Sequence, residues 1–168
     1  MICDNSEKMV CGFFGGKFMP LHKGHLYCID TAARQCDRVV VIMFINGDDE
    51  KEIEKENPDP LWSVENRTKQ LQKVCALYPN VEFGIIDDNL CRAPDGTIDW
   101  DLETPLVRQY VPKMDYVYSS ESAYDAYFKR AYPEAKHVIV DEKREHFPIS
   151  GTMIRAMNLL EEKEKWMV

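Results

Sequence analysis

The sequence predicts an α/β fold, a parallel sheet of about five strands with helices on both faces. Three observations carry that prediction. Short apolar runs alternate along the chain with segments whose apolar residues recur at helical spacing. The run from Arg38 to Ile45 is continuously apolar after its first residue, the pattern of a strand covered on both faces. The chemically distinctive residues follow the predicted strands, where open parallel sheets bind their ligands.

Taken in order, Met9 to Phe14 reads as the first strand, and Leu26, Ile29, Ala33 and Cys36 mark a helical stripe after it. Arg38 to Ile45 is the second strand. The segment Asp48 to Glu56 holds six acids against two lysines, and Pro58 and Pro60 close it, so it reads as a solvated loop or lid. Ser63 is placed to cap a helix carrying Val64, Arg67, Leu71, Val74 and Cys75 and ending before Pro79. Val81 to Ile86 is the third strand, followed by a loop with the turn pair Asp95-Gly96. Trp100 to Val111 reads as a weak helix interrupted by Pro105. Tyr116 to Tyr118 is a short strand, Ala123 to Ala131 a helix and His137 to Val140 the last strand. From Ser150 the chain reads as helical to about Leu160, with a charged tail beyond.

Composition narrows the function. A chain of 168 residues, 45% hydrophobic, predicts a single domain over 1–168 with a full core. A formal charge of −8 and a pI near 5.0 argue against a nucleic-acid polymer or an anionic membrane as partner, because both call for a broad basic surface. Small anionic substrates need only a local basic cluster. No window reaches the ~18 apolar residues of a membrane span, and the first residues lack the apolar core of a signal peptide, so a cytoplasmic protein is expected. Cys3, Cys11, Cys28, Cys36, Cys75 and Cys91 have no C-x-x-C spacing and read as reduced, mostly buried residues.

Residues 15–25, Gly-Gly-Lys-Phe-Met-Pro-Leu-His-Lys-Gly-His, carry the strongest functional signal. Gly15 and Gly16 read as a turn that lets backbone approach a ligand, Lys17 offers a point charge, and a helix starting near Gly24 would aim its free N–H groups at an anion. His22 and His25 flank that start and can donate to phosphoryl oxygens. A Walker A loop is excluded, since Gly12 and Gly16 are four apart and Phe18 stands where a hydroxyl is required. A zinc site built on the two histidines is disfavoured, with Pro20 and Gly24 around them.

A strand followed by Gly-Lys-Phe-x-Pro-x-His-x-Gly-His and a helix resembles the nucleotidyltransferase superfamily, which carries an H-x-G-H motif on a Rossmann-like fold. Residues 149–155, Ile-Ser-Gly-Thr-Met-Ile-Arg, resemble its second signature, with Gly151 in place of a commoner serine. Lys17-Phe18, the Tyr-Ser-Ser-Glu run at 118–121 and the Val-Asp-x-x-Arg run at 140–144 most resemble the nicotinamide-nucleotide adenylyltransferase domain of bacterial NadR-type proteins. Neither a kinase P-loop nor a DNA-binding helix pair is evident in the sequence, so a stand-alone catalytic domain is expected.

The resemblance implies transfer of AMP from ATP to nicotinamide mononucleotide, giving NAD and pyrophosphate without a covalent intermediate. It assigns His22 and His25 to the triphosphate near the α-phosphorus and Lys17 to the triphosphate or the attacking phosphate. Ser150, Gly151, Thr152 and Arg155 would hold the β- and γ-phosphates. Gly15, Gly16 and Phe18 would line the nucleotide site, Ser119, Ser120 and Glu121 the adenosine end, and Trp100 would stack on nicotinamide. Arg67, Asp141 and Arg144 are lesser candidates. Mg2+ is expected to arrive with ATP, and a homo-oligomer is compatible with the reading. The alternatives are a phosphopantetheine adenylyltransferase, a cytidylyltransferase acting on a polyol phosphate, or a nucleotide sensor without catalysis.

Overall fold

The computed structural model describes residues 8–168, so Cys3 and the opening Met-Ile-Cys-Asp-Asn-Ser-Glu run lie outside the described residues. Five parallel strands, β1 (Cys11–Gly16), β2 (Arg38–Ile45), β3 (Val81–Asp87), β4 (Tyr116–Ser119) and β5 (Lys136–Ile139), form one sheet in the order β3-β2-β1-β4-β5. The helices α1 (Lys23–Gln35), α2 (Asp48–Glu56), α3 (Val64–Cys75), α4 (Trp100–Tyr110), α5 (Asp125–Ala131), α6 (Gly151–Arg155) and α7 (Leu160–Glu164) complete the fold, which is Rossmann-like.

Side-chain alternation along the two central strands builds a core on each face. Phe14, Val39, Val41 and Met43 pack with Ile29 of α1 and Leu71 of α3; Phe13, Val40 and Ile42 pack on the other face with Val107 of α4 and Tyr132. Cys28, Cys36, Cys75 and Cys91 are buried in these layers, Cys11 is half-buried, and all five are free thiols.

Four elements depart from the sequence reading. β1 lies two residues further along, because Gly15 and Gly16 pair with Ile42 and Met43 instead of turning. The acidic stretch is not a loop: α2 spans it, anchored by Glu50, which is 1% exposed. α4 runs through Pro105 without a break. The predicted helix from Ser150 to Leu160 divides into α6 and α7, the charged tail forming the second.

Reversal of strand order at β1 sets up the binding crevice. β1 connects through α1 to β2 on one side and pairs with β4 on the other, so the carboxyl ends of β1 and β4 open between the two halves of the sheet. Parallel sheets place ligands at this point. Among the described residues no helix is long and apolar enough to cross a membrane.

Candidate functional site

A cavity of about 760 Å³ fills that crevice, and every residue singled out above for catalysis or binding except Arg67 borders it. A smaller depression of about 510 Å³ lies along the edge strand β5, away from these residues.

The two histidines form one unit. His22 is the N-cap of α1, and its Nδ1 accepts from the Gly24 N–H at 3.0 Å. His25, three residues on, accepts the His22 N–H on its own Nδ1 at 3.1 Å. Their rings stack with centroids 3.7 Å apart, and the buried Phe18 ring meets His25 edge-on at 4.9 Å. Because each Nδ1 acts as an acceptor, each ring carries its proton on Nε2, leaving two N–H donors for the cavity. Burial pulls the pKa of His22 down to about 4, helped by Arg144, and holds His25 well below the ordinary value through burial, His22 and Arg144. Both are neutral donors at pH 7.

This arrangement corrects one expectation. The first N–H groups of α1 are not free for an anion: the His22 ring takes that of Gly24, and the Trp166 carbonyl takes that of Lys23 at 2.9 Å. The histidine side chains replace them as donors. Phe18, which adopts a positive φ of 55°, lies in the core with 1% exposure and supports His25. Gly15 is a close-packing position, since a Cβ there would stand 2.7 Å from the Phe44 ring.

Lys17 reaches across the opening to pair with Asp49 in the first turn of α2, an interaction that lowers the pKa of Asp49. The Lys17 carbonyl accepts from Arg67 Nη1 at 2.8 Å. Fully buried Arg67 also pairs with Glu50, whose second oxygen accepts the Asn46 N–H at 2.8 Å. Arg67, named above as a lesser ligand candidate, therefore braces the loop from behind.

The C-terminal signature meets the same loop. Arg155 Nη1 donates to the Met19 carbonyl at 2.7 Å, and its Nη2 donates to Thr152 Oγ1 at 3.2 Å. Gly151 makes the crossing possible, because a Cβ there would lie 3.0 Å from both Arg155 Nη1 and Met19 O. Ser150 Oγ accepts the Met153 N–H at 3.2 Å as N-cap of α6. Since α6 is only five residues long, the arginine side chain matters more here than a helix dipole.

On the β4 side, Ser119 Oγ contacts His137 Nε2 at 2.6 Å and the Glu121 carbonyl and N–H at 3.0 and 3.2 Å. His137 Nδ1 in turn faces Asp125 at 3.3 Å. The Ser119 hydroxyl thus shapes the turn that carries Ser120 and Glu121, a role that no local pattern around His137 announced. Arg144, with a φ of 53°, donates to the Ile149 carbonyl at 2.6 Å, while Asp141 gathers the N–H groups of Glu145, His146 and Phe147 at 2.8 to 3.0 Å. Arg144 thereby brings a positive charge to the histidine pair. Trp100, 43% exposed, stands 5.6 Å from Tyr124 and 5.2 Å from Tyr127, forming an aromatic wall that the sequence indicated only at Trp100.

With imidazole, guanidinium and ammonium groups on one rim, the site can grip a polyphosphate and reduce repulsion as a second phosphate approaches. Comparison with known proteins agrees with that chemistry. The cytidylyltransferase-like family model matches residues 13–157. The trifunctional NAD biosynthesis/regulator protein NadR of Escherichia coli is 29% identical over 155 residues, covering 89% of this chain and 37% of that protein. Phosphopantetheine adenylyltransferase of Clostridium perfringens is 38% identical over 74 residues, covering 44% of this chain and 40% of the relative. The chain thus matches about two fifths of the length of these curated relatives. The crystal structure of NadR in complex with NAD and AMP-PNP superposes with a TM-score of 0.62 at 24% identity, covering 88% of this chain and 42% of that one, a likeness of fold. With the family model spanning nearly all of the described sheet and both signature runs, the chain belongs to the cytidylyltransferase-like family of nucleotidyltransferases.

Proposed function

We propose that this nucleotidyltransferase transfers the AMP moiety of ATP to nicotinamide mononucleotide, producing NAD and pyrophosphate. The observation that carries the reading is one cavity bordered both by a histidine-arginine rim and by the Trp100, Tyr124 and Tyr127 wall. A substrate with a phosphate and a flat cationic ring suits both features.

The acceptor phosphate is ionised at pH 7 and needs no general base. One of its oxygens forms a bond to the α-phosphorus as the bond from that phosphorus to the pyrophosphate oxygen breaks, and the bonding pair leaves with pyrophosphate. His22 and His25 donate Nε2–H to the oxygens around the α-phosphorus. Arg155 and Lys17 follow the charge onto the leaving group, which requires Lys17 to exchange Asp49 for phosphate. Ser120 and Glu121 face the adenosine end. Mg2+ bound with ATP would neutralise the β- and γ-phosphates, and the Asp49 carboxylate beside Lys17 suits its hydration shell.

The test is pyrophosphate release from Mg-ATP with nicotinamide mononucleotide, phosphopantetheine and polyol phosphates offered in turn. Release with the mononucleotide alone is expected, and His25→Ala should lower kcat by roughly 10²- to 10³-fold. Release confined to phosphopantetheine would establish the second reading, which the local identity to that adenylyltransferase favours. Nucleotide binding without release in any mixture would make the protein a sensor.

A further inference from the structure

The wall of the same cavity also holds a pair of acids. Asp88 directly follows β3, Glu103 lies in the first turn of α4, and both border the cavity with Trp100. Asp88 is 6% exposed, and its Oδ1 finds no hydrogen-bond donor among the described residues. The Glu103 carboxyl stands against it. Burial raises both pKa values, Asp88 to about 6 and Glu103 to about 8, the latter also through the charge of Asp88. Near pH 7 the pair therefore carries one proton and one negative charge.

A buried carboxylate oxygen without a donor is costly, and native proteins retain few such groups. Lys17 acts favourably on both acids, yet its ammonium is paired with Asp49. What the pair lacks is an N–H donor and a positive charge arriving from the cavity. A flat cationic ring against Trp100 would bring the charge, and an amide on that ring would bring the donor.

We propose that Asp88 and Glu103 select the base of the acceptor, accepting from the amide of a cationic heteroaromatic ring and rejecting the otherwise identical acceptor that bears a carboxylate. The proposal rests on the mononucleotide reading of the site and adds the residues that tell amide from acid. A carboxylate brought to the pair would place like charges together, and the one proton of the pair is already held between Asp88 and Glu103, so discrimination comes from repulsion as well as attraction.

Calorimetric titration of the full chain with nicotinamide mononucleotide and with nicotinic acid mononucleotide tests it, with ATP titrated as a control. The wild type should bind the amide at least roughly 30-fold more tightly than the acid, and Asp88→Asn should shrink that ratio by about tenfold while ATP affinity stays within about twofold. Glu103→Gln, at the less buried position, should shrink it by roughly threefold and serves if the first variant does not fold. An unchanged ratio in a folded variant overturns the proposal, as does a wild type that binds both mononucleotides equally or neither. Selective binding of the amide without pyrophosphate release would uphold the selectivity and sink the proposed reaction alone.

Discussion

His22 and His25 serve two ends with one set of atoms. Their Nδ1 lone pairs cap α1, and that use fixes the tautomer that turns Nε2–H toward the cavity. The cost is acid sensitivity. Their pKa values lie below the ordinary 6.5 in the folded chain, so the unfolded chain binds more protons as pH falls below 6.5. Their contribution to stability is therefore complete above pH 6.5 and is lost on descent toward pH 4, the folded value of His22. His22→Asn keeps an N-cap acceptor but does not titrate. Between pH 7 and pH 5 the wild type should lose about 2 kcal/mol more than this variant in urea unfolding. Parallel pH profiles would mean that His22 protonates freely in the fold.

At the scale of elements, α2 and α3 hold the first loop from behind. Arg67 of α3 joins Glu50 of α2 to the Lys17 carbonyl, and Glu50 joins the same junction to the Asn46 N–H. Arg67→Met would leave Glu50 buried without its counter-charge and should cost roughly 3 to 5 kcal/mol, far more than an exposed pair such as Lys69–Glu65 is worth. Replacing both, as Glu50→Gln with Arg67→Met, should recover part of that loss. A single-variant cost below about 1 kcal/mol in urea unfolding would show that the pair does not brace the loop. The same elements mark what a sequence reveals. Val39 to Met43 announced a buried strand because every side chain there is apolar, and Ser63 announced a cap by its place before Val64. Glu50 was hidden among six acids in its segment, since burial comes from Arg67 on another helix. Asp88 and Glu103 were likewise illegible: each is ordinary where it stands, and the fold alone makes them a pair.

Across the whole molecule, the two ends of the family pattern meet before any ligand arrives. Arg155 donates to the Met19 carbonyl, the Arg155 carbonyl accepts from Asn57 Nδ2 at 3.0 Å, and Lys23 N–H reaches the Trp166 carbonyl. The linkage inferred from the order of two motifs thus has a physical form, a guanidinium closing the first loop from the C-terminal side. It also changes what an arginine variant should do. Arg155→Met removes a charge-assisted bond to a backbone carbonyl, so the protein without ATP should already lose roughly 1.5 to 3 kcal/mol. A second loss should appear on adding ATP, because the guanidinium is also the proposed grip on the leaving phosphates. ATP at about 100 times its Kd would stabilise the wild type by roughly 2.7 kcal/mol, and the same ATP concentration should protect Arg155→Met less. Lys17→Met should differ, losing ATP protection with little change in the free protein, because its partner Asp49 is exposed. In the double variant, shared contact with one triphosphate predicts departure from additivity above ~0.5 kcal/mol with ATP present. Thermal unfolding of the four proteins with and without Mg-ATP measures both terms at once. If Arg155→Met lost stability yet kept full ATP protection, the arginine would be a clasp for the loop and no ligand for the triphosphate.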